Sequence, residues 1–153
     1  MLLLPSDIRD QIVAHAVDSL PAEAVGVLAG TGSQVRKAFA LRNLGGQHSF
    51  LAHPCDQFQA EMAMRSQGMD ILAIYHSHPD GCVCLSDFDR VMAMPWKCAQ
   101  LIIGVDTRSK EAKLAGYRLS GHLPVEIDVR VQVQLIRRRE TNRLSPNKVA
   151  NEV

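Results

Sequence analysis

The sequence predicts an α+β domain, a mixed and mostly antiparallel sheet with helices packed against it. Three observations carry that expectation. Apolar periodicity switches along the chain in the order helix, strands, helix, central strand, helix, strands. One run, Ile71 to Tyr75, is apolar throughout, as a central strand covered on both faces would be. A length of 153 residues, 46% of them apolar and 22% charged, suits one soluble core and is short for two domains.

Ser6 reads as the N-cap of a first helix, in which Ile8, Ile12, Ala16 and Leu20 recur at helical spacing before Pro21. Glu23 to Gly30 reads as a strand, with Val25 and Val27 on the face of Glu23 and with Ala24, Gly26 and Leu28 on the other. Thr31-Gly32-Ser33 is a turn, Val35 to Leu41 a second strand, Gly45-Gly46 a loop and Ser49 to His53 a third strand. Pro54, Cys55 and Asp56 open a second helix carrying Phe58, Met62 and Ala63, and Gly68 suits a left-handed C-terminal cap. The apolar run then empties into His76-Ser77-His78-Pro79, and a third helix begins near Ser86. Leu101 to Val105 is a buried strand, Thr107 to Glu111 a turn and Lys113 to Leu119 its antiparallel partner. Val125, Ile127, Val129, Val131, Val133 and Leu135 alternate with polar residues as one half-exposed strand.

One domain over residues 1–135 and a polar basic tail over 136–153 follow from this pattern. Five basic and two acidic side chains give the tail a charge of +3, against −2 for the body with twelve basic and fourteen acidic. Such a tail is expected to be a solvated or disordered end. The formal charge of +1 selects no nucleic-acid partner. The opening Met-Leu-Leu-Leu is too short for a signal-peptide core or a membrane span, so a cytoplasmic protein is expected. Four cysteines are few, and free thiols are the expected state, with Cys55 and Cys98 in the core. Cys82-x-Cys84 stands near two histidines, so its metal-binding capacity has to be weighed.

His76 and His78 lie two apart at the end of a strand, so both rings leave one face and can converge on one ion. Asp89 is a third ligand if the loop from Pro79 to Leu85 folds back. Two imidazoles and a carboxylate suit zinc, and three protein ligands leave a position open for catalysis. Glu23 stands at the start of a strand of small and apolar residues, where a carboxylate needs a reason to be present.

The stretch from Pro21 through Glu23 and Gly26 to Gly30, combined with His76-Ser77-His78-Pro79, six residues, Ser86, two residues and Asp89, resembles the JAMM (MPN+) metalloprotease family. The resemblance runs from the first helix to the Lys113–Leu119 strand. It implies a cytidine-deaminase-like sandwich, zinc held by His76, His78 and Asp89, Glu23 as general base and then acid, and Ser86 donating to the oxyanion. The implied reaction is hydrolysis of an amide or isopeptide bond. Leu85 stands where the family often has proline. The absence of long insertions resembles the small prokaryotic members, which implies a ubiquitin-like sulfur-carrier substrate ending in Gly-Gly.

Other readings compete. Ser86-x-x-Asp89 is also a helix-start pair, a role compatible with catalysis. His76, His78, Cys82 and Cys84 would make a closed structural zinc site and a binding module, at the cost of leaving Glu23 and Asp89 unexplained. A scaffold of the MPN type is the non-enzymatic alternative, and another short peptide or small amide is the alternative substrate. The Cys-x-x-Cys and His-x-Glu signatures of nucleobase deaminases are absent. His15, His48, His53 and His122 read as surface or satisfied residues.

Overall fold

The computed structural model describes residues 1–46 and 48–133. In chain order the elements are β1 (Leu2–Pro5), α1 (Ser6–Asp18), β2 (Val25–Thr31), β3 (Gln34–Leu41), α2 (Pro54–Ser66), β4 (Asp70–His78), α3 (Asp87–Ala93), β5 (Ala99–Val105), β6 (Ala112–Ser120), β7 (Leu123–Ile127) and β8 (Val129–Gln132). The strands make one mixed sheet in the order β7-β6-β5-β4-β2-β3-β1-β8. Four pairings are antiparallel and three parallel, as the sequence predicts for a mixed and mostly antiparallel sheet.

The apolar run 71–75 lies in β4, an interior strand antiparallel to β2 and parallel to β5. Its alternation divides the core in two. On one face, Ile8, Ile12 and Ala16 of α1 pack with Leu4, Leu28, Tyr75, Leu101 and Ile103. On the other, Ala60 and Met64 of α2 pack with Val25, Val27 and Ala29, together with Phe50 and Ala52 from the connection before the helix. Each large aliphatic side chain buried this way contributes ~1.5–3 kcal/mol.

Several expectations need correcting. The opening leucines form β1, which lies between β3 and β8 with Leu2 and Leu4 buried. Ser6 is the first residue of α1 rather than its cap, and Pro5 precedes it. β2 begins at Val25, leaving Glu23 and Ala24 just before it. Ser49 to His53 is no strand, because only Ala52 forms a bridge, with Asn43. In α2, Phe58 and Met62 point outward, 65% and 55% exposed, while Ala60 and Met64 are buried. The cause lies in the first turn: His53 caps the helix, and Asp56 accepts from the backbone N–H, Nε and Nη2 of Arg42, which fixes the rotation of the helix on the sheet.

The alternating stretch after Leu123 divides at Asp128 into β7 and β8, which lie at opposite ends of the strand order. The sheet therefore curls until its edges approach. Cys82 and Cys84 are joined as a disulfide, Cys55 is exposed and Cys98 is half-buried, against the expectation of four free thiols with the spare pair in the core. Leu135 and the basic tail 136–153 lie outside the described residues. Among the described residues no helix is long and apolar enough to cross a membrane.

Candidate metal centre and active site

The strand period puts His76 and His78 on the α2 side of β4, and Tyr75 and Ser77 on the α1 side. Past Pro79 the chain reverses. Gly81 adopts φ +79°, and Gly104 of β5 lies so close beneath it that a Cβ there would collide with the Gly81 carbonyl. Asp80 bridges to Asp106 and accepts from the Cys82 N–H at 2.9 Å. The folded-back loop delivers Ser86 to the start of α3. There Ser86 Oγ accepts from Asp89 N–H at 3.1 Å while Asp89 Oδ2 accepts from Ser86 N–H at 2.7 Å, a reciprocal capping box. The box holds the Asp89 carboxylate in the first helical turn, facing both imidazoles.

The result is a buried cluster. His76 Nε2 and His78 Nε2 are 3.1 Å apart, His76 Nε2 lies 3.4 Å from Asp89 Oδ1, and His78 Nε2 lies 3.3 Å from Asp89 Oδ2. Bonds of ~2.0–2.1 Å to a tetrahedral ion put neighbouring ligand atoms ~3.3 Å apart, so the three side chains fit three corners of such a site. His78 Nδ1 donates to the carbonyl of Cys82 at 3.2 Å, which turns its Nε2 lone pair toward the cluster. Phe50 stacks on the His76 ring at 4.3 Å and restricts its rotation. Burial lowers the pKa of His76. Burial acts in the same sense on His78, but Asp89, Glu23 and Asp80 outweigh it and raise that ring. For Asp89, burial disfavours the charge, while contacts with His76, His78 and Ser86 overcome it and hold the carboxyl well below the usual range.

Glu23 joins the cluster through strand register. Val25 pairs with His76 and Ser77 N–H donates to the Ala24 carbonyl, so one step further brings Glu23 beside His78. The carboxyl is 6% exposed and its Oε2 has no partner among the described residues. Burial, reinforced by Asp89 and Asp80 and opposed by His78, raises its pKa to about 7. Glu23, His78, Ser86 and His48 line a cleft of about 460 Å³ that opens beside the cluster. Ser86 Oγ spends a lone pair on the cap, which leaves its proton available to a ligand in that cleft.

All five residues singled out in the sequence thus come together: Glu23, His76, His78, Ser86 and Asp89. The closed site with Cys82 and Cys84 is overturned, because those sulfurs are paired and Asp89 meets the imidazoles instead. Sequence reasoning missed Phe50, His48 in the cleft and, above all, Asn43. Asn43 Nδ2 donates to the Glu23 and Ser49 carbonyls, while its Oδ1 accepts from Gly45 and Leu51 N–H. It ties the Phe50 loop to the backbone of Glu23. An Asn two residues before Gly45 is a turn signal that was there to be read. His15 and His53 are satisfied structural residues, as expected.

The family described as prokaryotic homologs of the JAB domain matches residues 5–116, a span containing every residue of the cluster. The chain is 32% identical over 108 residues to the probable TtuB-protein conjugate cleaving protease of Thermus thermophilus, covering 69% of this chain and 72% of that protein. It is 33% identical over 100 residues to the desampylase of Haloferax volcanii, covering 60% and 72%. The solution structure of a Desulfitobacterium hafniense protein superposes with a TM-score of 0.78 at 26% identity, covering 89% of this chain and 96% of that one. A JAB1/MPN domain protein from Archaeoglobus fulgidus shares the fold at a TM-score of 0.54 and 20% identity, covering 86% and 100%. With residues 5–116 matched, most of its length, the chain belongs to the JAB-domain family, among its prokaryotic homologs.

Proposed function

We propose that this JAB-domain protein is a zinc-dependent hydrolase of amide or isopeptide bonds, acting after the C-terminal Gly-Gly of a ubiquitin-like sulfur-carrier protein. The observation that carries the reading is the convergence of His76, His78 and Asp89 at tetrahedral spacing beside a buried carboxyl with a raised pKa. The two relatives named for cleaving protein conjugates support the substrate class.

His76, His78 and Asp89 would hold a zinc ion, which when bound would supply Lewis acidity for amide hydrolysis. The chain's own groups do the rest. The Cys82 carbonyl and the Phe50 ring fix the two imidazoles, and the capping box fixes Asp89. Glu23 takes a proton from the attacking water and returns it to the leaving amine, a role suited to a carboxyl near neutrality. Ser86 donates its hydroxyl proton to the oxygen on which charge develops. No covalent enzyme intermediate is required.

A Gly-Gly tail suits such a site because a residue without Cβ passes close beside the buried cluster. The test is a carrier fusion carrying a C-terminal extension after Gly-Gly, compared with its Gly-Val counterpart. Cleavage of the first, with kcat/KM for the second lowered at least ~10-fold, is the expected result. Equal cleavage would refute the Gly-Gly reading, and failure to cleave either would move the substrate to another peptide or small amide.

A further inference from the structure

Four of the five residues in the cluster are held by regular structure. His76 and His78 belong to β4, and Ser86 and Asp89 hold each other in the capping box of α3. Glu23 has no such support, for it stands before β2 and outside the sheet ladder. Its Oε2 has no partner among the described residues, and its backbone makes a single hydrogen bond there, accepted by the carbonyl from Asn43 Nδ2 at 2.9 Å. Ser77 grips the neighbouring Ala24 from the α1 side, through its N–H and its Oγ. That leaves the setting of Glu23 itself to Asn43.

The Asn43 amide spends every hydrogen bond that it can make. Nδ2 donates a second time to the Ser49 carbonyl at 3.1 Å, while Oδ1 accepts from the Gly45 N–H at 2.7 Å and the Leu51 N–H at 2.9 Å. Turning the amide over would set oxygen against two carbonyls and nitrogen against two N–H groups, so one orientation alone satisfies the site. The chain is wrapped closely around it: a Cβ on Gly45 would lie 2.5 Å from the Ser49 carbonyl oxygen and 3.0 Å from Asn43 Oδ1. Three of the four bonds serve the segment that carries Phe50, whose ends are also closed by Leu44 N–H on the Leu51 carbonyl and His53 N–H on the Arg42 carbonyl. The fourth bond does nothing for that segment. It reaches back twenty positions to the carboxyl-bearing residue that has no other anchor of its own.

We infer that Asn43 is the positioning residue of the general base: by holding the Glu23 carbonyl it sets where the Glu23 carboxyl lies beside the cluster. Through the same amide it keeps that position in step with Phe50, the ring stacked on His76. The inference rests on the proposed hydrolase reading for its chemistry. Proton transfer depends steeply on placement, and an error of about 1 Å can cost on the order of 10²-fold in rate. Losing the anchor should therefore weaken turnover and leave substrate binding nearly intact.

The test is a double-variant cycle on zinc-loaded full-length protein, assayed with the Gly-Gly carrier fusion. Asn43→Ala should lower kcat ~10–100-fold while KM changes less than ~3-fold and zinc content stays unchanged. In a Glu23→Gln background there is no base left to place, so the same substitution should change the residual rate less than ~2-fold. Equal fold losses in the two backgrounds, or a loss confined to KM, would show a merely structural asparagine and overturn the inference. Asn43→Asp is the second variant if Asn43→Ala fails to fold, because it keeps the bonds accepted from Gly45 and Leu51 and deletes both donated ones. Full kcat in folded Asn43→Asp would overturn the inference as well.

A crystal structure of either zinc-loaded variant reads the same point without turnover. The Glu23 carboxyl should be displaced by about 1 Å or more relative to wild type, with His76, His78 and Asp89 unmoved. A carboxyl that stays in place overturns the inference even if kcat falls. Displacement in a protein whose wild type cleaves no fusion removes the hydrolase reading and keeps Asn43 as the anchor of Glu23.

Discussion

β4 has two faces made from alternate residues of one strand, and they treat buried polar atoms in opposite ways. On the α1 face, the Tyr75 hydroxyl meets His15 Nδ1 at 2.9 Å and Ser77 Oγ accepts from the Ala24 N–H at 2.7 Å. On the other face, Glu23 Oε2, His76 Nδ1 and Gln100 Nε2 are buried without partners among the described residues. Folded chains pair buried polar groups because an unpaired one costs ~1–3 kcal/mol. The first face obeys that rule and is there for stability. The second breaks it three times within one sheet face, at the cluster and at Gln100 of β5, and so carries polar groups that stability alone does not explain.

The largest effect that tests this contrast comes from removing the imidazoles. His76→Ala with His78→Ala should abolish hydrolysis and reduce bound zinc from one per chain to background, measured by metal analysis after dialysis. A double variant that keeps its zinc would show that the second face does not hold the ion. Glu23→Gln comes next, with kcat reduced ~10²–10⁴-fold while zinc content and the circular-dichroism spectrum are retained, because an amide cannot carry the proton. Near-normal turnover would reassign the base.

The α1 face should answer in the opposite currency. Ser77→Ala deletes the acceptor for the Ala24 N–H and leaves that donor buried, at a cost of ~1–3 kcal/mol. Thermal unfolding should shift downward by several degrees while kcat of the folded fraction stays unchanged. A substantial loss of kcat at full zinc loading would mean that the two faces are not separable, since Ala24 adjoins Glu23.

How much of this was legible follows the same division. His76 and His78 were readable because strand alternation is a local rule, fixed by a spacing of two residues, whereas Asp89 depended on a loop folding back and Ser86 entered the site through the family resemblance, its local spacing to Asp89 reading equally well as a helix start. Glu23 was readable because a carboxylate among small and apolar residues is locally anomalous. Phe50 and Asn43 were not, since their importance lies in contacts with His76 and Glu23 that only the sheet register creates. The outward turn of Phe58 and Met62 was hidden for a related reason: Arg42, fourteen residues from Asp56, sets the rotation of α2. The division of the last strand at Asp128 was equally invisible, because alternation reports a period and not the partner that each half finds in β6 or β1.

The smallest predicted effect concerns the energetic cost of the unpartnered carboxyl itself. Burial raises Glu23 from its ordinary value of 4.5 to about 7, so in the zinc-free protein the folded state binds a proton that the unfolded state has already released between those pH values. Stability of the zinc-free protein should therefore decline as pH rises from about 4.5 through about 7, and level off above that. Glu23→Gln has no proton to lose. Its zinc-free form should match the wild type near pH 4 and exceed it by ~1–2 kcal/mol at pH 8, read from urea unfolding at both pH values. Zinc should shrink the gap, since a nearby cation favours the carboxylate and pulls its pKa back down. A zinc-free variant less stable than wild type at pH 8 would mean that Glu23 is paired and satisfied in the folded state, and the contrast between the two faces would lose its strongest member.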